Sequence, residues 1–132
     1  MNQSPIETRH IDLFGKVPDG VRQRIELARL AGRESALEAI ENFRDALIHH
    51  NPLERKIQQM VHLGMLLALG REAPAQLHAH AAVNAGASPA ELHGVCETAA
   101  VVGGMPAYSL GVQVVGEALR ASSVATGEHT HD

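Results

Sequence analysis

Nine histidines and one cysteine are the side chains of this 132-residue chain best suited to chemistry near neutral pH. An imidazole titrates in that range, and a thiol can be activated there by a suitable neighbour. His78, His80, His93 and Cys96 all fall in QLHAHAAVNAGASPAELHGVCETAAVVGGMPA, residues 76–107, among alanines and valines. His78 and His80 form an HxH, which invites a metal reading. Side chains two apart on a helix point about 200° apart, and 74–85 reads as helix, so the two rings cannot share an ion there and no metal site is expected from this pair. Their neighbours differ too. His78 shares its side with Pro74, Ala75, Ala81, Ala82 and Ala85, so it is expected to point inward, as a packed core histidine or as the imidazole of a pocket floored by alanines. His80 lies beside Gln76 and Asn84 and is expected at the surface.

Arg55, Gln59 and His62 are spaced four and three apart, which puts them on one stripe of an otherwise apolar helix. A polar group buried there needs a partner, because an unpaired one costs ~1–3 kcal/mol. The candidates are His78, a neighbouring subunit or a ligand; the plainer alternative is that Arg55 and Gln59 are the solvated end of the helix. Cys96 follows His93 by three residues, so a thiolate–imidazolium pair is conceivable, against an inert thiol packed among Leu92, Ala99 and Ala100. His49 and His50 suit a helix C-terminus, where cations are favoured. His129 and His131, near the end of the chain, suit adventitious metal only.

These side chains must be positioned by helices. Residues 1–20, with Pro5, Gly15, Pro18 and Gly20, show no clear period and read as an N-terminal arm. VRQRIELARLAG reads as a helix stopped at Gly32. SALEAIENFRDALIHH places Leu37, Ile40, Phe43, Leu47 and Ile48 on an amphipathic face. Asn51-Pro52 with Glu54 has the form of a helix start, and the next helix runs to about Gly70, apolar nearly all round in MVHLGMLLALG. Pro74 opens a helix that stops at Gly86. Ser88-Pro89-Ala90-Glu91 repeats the cap, proline and glutamate signature, and that helix continues to Gly103-Gly104. Pro106 begins the last one, and the tail SSVATGEHTHD is small and polar. No segment has a strand pattern. The fold class is an all-α bundle of about six helices, with residues 1–20 an arm, 21–122 a single domain and 123–132 a disordered tail.

Composition narrows the function. Two Phe, one Tyr and no Trp leave a core of small aliphatic side chains, each burying little area, so the chain is expected to be an obligate oligomer that buries more between subunits. A net charge of −4 with eleven scattered Lys and Arg excludes a nucleic-acid footprint. There is no apolar leader, and the apolar run at 60–69 is shorter than the ~20 residues that span a bilayer. One cysteine precludes an internal disulfide. The expectation is a cytoplasmic protein that acts on a small molecule, without membrane or cofactor.

The blocks ERKIQQMVHLGMLLALG, HAHAAVNAG, ASPAELHGV and GGMPA, in this order between Leu53 and Ala118, resemble the carboxymuconolactone decarboxylase and alkylhydroperoxidase-D-like superfamily. The resemblance implies an all-α bundle assembled as a homo-trimer or homo-hexamer, with His78 as the helix histidine of the active site. It departs from the peroxidases, whose CxxC is replaced by Arg71-Glu72-Ala73-Pro74, so thiol peroxidase activity is not expected. Gln59 stands where the family has a glutamate. Pro74 or Ala75 stands where decarboxylases carry a carboxylate, and His80 where they carry an arginine. The reading that follows is a decarboxylase-like lyase, with His78 the acid/base, His62 and Gln59 orienting it or the substrate, and Arg55, Cys96 and His93 contacting substrate. The alternatives are a non-catalytic binder of the same fold, or a metal enzyme using His62, His78 and His93.

Overall fold

The computed structural model describes residues 4–125, which puts His129 and His131 outside the described residues. These residues form six helices, α1 (Pro5–Phe14), α2 (Asp19–Ala31), α3 (Glu34–Ile48), α4 (Arg55–Leu69), α5 (Glu72–Asn84) and α6 (Pro89–Ala125), and no strand. They group into two compact units, Met1–Leu53 and Glu54–Asp132.

In the first unit the expected arm contains a full helix. Ser4 caps α1 in a reciprocal box with Glu7, Pro5 sits in its first turn, and Gly15 closes it in the left-handed conformation. His10, Leu13 and Phe14 are its buried residues. On α3 the outcome inverts the expected face: Ile40, Phe43 and Leu47 are 56%, 64% and 52% exposed, whereas Glu41 is buried. Glu41 is held by charge. Arg24 and Arg44 reach it at 3.4 and 3.7 Å, and His10 Nε2 lies 3.5 Å away. Burial, then Arg44, lower the pKa of His10, outweighing the opposite pull of Glu41. The neutral ring accepts from Arg44 Nη1 at 3.0 Å, which leaves its Nδ1 buried without a partner.

The second unit packs α4, α5 and α6 around a core of Leu63, Leu67, Ala75, Ala79, Leu92 and Val114, with further small side chains. Ala75, Ala79 and Ala82 recur at four and three residues, so α5 presents an alanine seam to its neighbours. Helix α4 begins at Arg55, not Pro52: Asn51 Oδ1 accepts from Leu53 N–H at 2.9 Å, an Asx turn that delays the helix by three residues. Helix α5 begins at Glu72, two residues before Pro74. The Ser88 box forms as expected: Ser88 N–H donates to Glu91 Oε1 at 2.9 Å and Glu91 N–H to Ser88 Oγ at 3.1 Å.

Helix α6 is continuous only in name. Gly104 stands at φ 75°, ψ −169°, a region open to glycine alone, and the chain turns back there. The reversal sets Gly111 against Cys96 so closely that a Cβ at 111 would lie 2.6 Å from Sγ. Among the described residues only α6 has the length and apolar character to cross a membrane. Its reversal at Gly104 means that it is not a straight rod of that length.

Candidate functional site

Two helices and the loop between them assemble the site. Gln59 and His62 sit three apart on α4, and the turn at Gly70 returns the chain along it as α5, which carries His78. His78 is only 5% exposed, pointing inward from the alanine seam, and Gln59 is 0% exposed. His78 Nδ1–H donates to Gln59 Oε1 across 2.7 Å. His62, half-buried, stacks on His78 with ring centroids 3.6 Å apart and planes at 27°.

This geometry has three chemical consequences. With Nδ1 carrying the proton, the lone pair of the neutral His78 ring resides on Nε2, the tautomer of a base at that atom. The stacked His62 ring also holds the plane of the His78 ring from its face. Third, the Gln59 amide spends only its oxygen: its Nε2 is buried with no partner.

The other sequence candidates fall elsewhere. Arg55 opens α4 one turn before Gln59 on the same stripe and is exposed. His80 is half-buried, not at the open surface expected for it. His93 is half-exposed on α6, with Tyr108 O–H 2.7 Å from Nε2 and Glu97 Oε1 3.2 Å from Nδ1. Cys96 is a core residue, 1% exposed, with Sγ against Gly111. Burial pushes its thiol pKa up. The thiolate–imidazolium pair is therefore absent: both His93 nitrogens face other groups, and a thiol whose pKa is raised by burial is a poor nucleophile. Among the described residues no three His, Cys, Asp or Glu side chains stand together as metal ligands, so His62, His78 and His93 do not form the trio that a metal enzyme would need. Sequence reasoning missed Glu97, four residues from His93 on one helix face, and Tyr108, which reaches His93 only through the reversal at Gly104.

A groove of about 610 Å³ lies between α4 and the first half of α6, lined by Met60, Val61, Met65, Val95 and Val102. At 100° per residue, Val61, Gly64 and Ala68 are on the side of α4 opposite Gln59, His62 and Leu66. The groove is thus separate from the imidazole pair. Its lining is nearly all apolar and offers no acid or base beyond Glu91 at its edge. Glu91 is occupied as a cap and by Lys56 Nζ at 3.2 Å, contacts that hold its carboxyl below the usual range.

Residues 34–117 match the carboxymuconolactone decarboxylase family. No curated protein and no solved structure matches the chain.

Proposed function

From this chain's membership of the carboxymuconolactone decarboxylase family, we propose that it is a small-molecule enzyme of the decarboxylase-like branch in which His78 transfers a proton at a carbon next to a carbonyl. The observation that carries the reading is the buried His78 ring, pinned through Nδ1 by Gln59. A fixed tautomer in a water-poor setting is what general acid–base catalysis requires of an imidazole. Gln59 orients the ring, and His62, stacked on it, holds its plane. With no second thiol, the disulfide cycle of a peroxidase has no place here.

The test is the exchange of a carbon-bound hydrogen with D2O in an enolisable lactone, together with CO2 release from a β-keto acid. Replacing His78 by Gln removes the base while leaving a polar side chain, and the rate falls by about 10²–10⁴. Equal rates in both proteins refute the assignment, and where neither rate exceeds the uncatalysed one the chain is a binder of the same fold.

We further propose that the active form is a homo-trimer or homo-hexamer. Apolar side chains stand exposed at four-residue spacing along α4, at Ile57, Val61, Met65 and Leu69, and again on α2 and α3, at Leu27, Leu30, Ile40 and Phe43. Faces of that kind are characteristic of subunit contacts. Cytoplasmic location belongs to the same reading.

A further inference from the structure

Resting on the assignment of His78 as the base, we infer that Gln59 is a second catalytic group: its Nε2 donates to the substrate's carbonyl oxygen and selects substrates whose carbonyl becomes an enolate. Three observations point to this. Gln59 is fully buried. Its Oε1 is committed to His78 Nδ1–H. Its Nε2 has no partner although it is buried, and an amide donor left unpaired at such a place costs folding free energy unless a ligand or water takes it. The donor therefore belongs to the same amide that fixes the base. When His78 Nε2 removes a proton from the carbon next to the carbonyl, the C–H pair becomes the C=C pair and the C=O π pair moves onto oxygen. That oxygen then carries the negative charge and takes the hydrogen bond from Gln59. Return of the proton from Nε2 to the same carbon, or to the far end of a conjugated double bond, restores the carbonyl and the neutral ring, so no co-reactant is needed. A neutral amide suits this charge change, because a carboxylate at position 59 would repel the developing anion.

The probe is a series of substituted phenols, planar oxyanions that imitate an enolate, with toluene as the counterpart that lacks the oxygen. They are titrated into full-length protein carrying 15N in its glutamine side chains. Phenol binding shifts the Gln59 side-chain NH2 resonance downfield, more for more basic phenolates. Gln59→Glu keeps an acceptor for His78 Nδ1–H and loses the donor, so it weakens phenol binding by about 10- to 100-fold and leaves toluene binding unchanged. Gln59→Met, which has no donor, shows the same loss should the glutamate variant fail to fold. Phenols that do not bind, that bind both proteins equally, or that leave the NH2 resonance unmoved because trapped water alone occupies it, each overturn the inference. In the exchange assay, a dead His78→Gln beside a Gln59→Glu of wild-type rate sinks this inference alone. A fully active His78→Gln sinks the assignment of the base.

Discussion

Replacing Gly111 by Ala tests how tightly the reversed halves of α6 are packed. The new Cβ would lie 2.6 Å from Cys96 Sγ, 3.0 Å from Leu67 Cδ1 and 3.1 Å from Cys96 Cβ. Leu67 and Cys96 are both 1% exposed, so neither can swing away into solvent. In an open helix the change would stabilise by ~1 kcal/mol, because alanine is the better helix former. Overpacking a closed core costs ~1–3 kcal/mol, and with two buried neighbours that cannot move aside the upper part of that range applies, which leaves a net loss of about 1–2 kcal/mol. Cys96→Ala alone also destabilises, by about 1 kcal/mol, through the cavity it opens. The two losses are not additive, because removing Sγ gives the new methyl a place to sit. The double variant is therefore expected to be more stable than the sum predicts, with a coupling of about 1–2 kcal/mol. Urea denaturation of the four proteins, read by far-ultraviolet circular dichroism, measures it. A Gly111→Ala protein at least as stable as wild type, or a coupling of zero, would refute the packing argument.

His10 supplies a pH test. Its folded pKa lies below the ordinary 6.5 because burial and Arg44 oppose the charge. The unfolded chain therefore binds the proton more readily, and stability, fully present above pH 6.5, declines as pH falls through 6.5 toward the folded value. His10→Gln should flatten that slope in denaturation midpoints measured between pH 7 and pH 5, and an unchanged slope places the titration elsewhere. Ser88→Ala removes the cap of α6 and should cost about 1 kcal/mol in a urea melt; a neutral result means that the N-terminal turn is held by other contacts. Met65→Glu places a charge on the exposed apolar stripe of α4, and sedimentation velocity should show a smaller assembly with unchanged helix content. An assembly of unchanged size moves the subunit contact off that face.

The helix pattern was largely legible because it is written in local chemistry. The Ser88-Pro89-Ala90-Glu91 signature forms its box, and Gly103-Gly104 followed by Pro106 marks the reversal. Helix α1 carries the same signature in Ser4-Pro5-Ile6-Glu7, so the signal was present where the surrounding glycines and prolines suggested an arm. Periodicity placed His78 inward and Gln59 on a stripe where a buried polar group would seek a partner. It left His78, another subunit, a ligand or plain solvation open as the answer; the hydrogen bond between Gln59 and His78 is a tertiary fact. What the sequence could not reveal depends on tertiary contact. Glu41 is buried while Phe43 is exposed because two arginines and His10 converge on the carboxylate, and no periodicity records that convergence. Tyr108 meets His93 across fifteen positions only because one glycine reverses the chain. The stacking of His62 on His78 is a matter of how closely α4 and α5 approach, which alanine content favours without fixing.

Helix α4 carries the imidazole partners on one side and the bare apolar groove on the other, and this double duty limits how the chain can change. A single residue inserted or deleted inside α4 would turn everything after it by 100°, taking every later side chain off the side it now occupies. Point substitutions can tune either side separately, but length changes cannot, so in related sequences the distance from Gln59 to Leu69 should tolerate replacement and resist gaps.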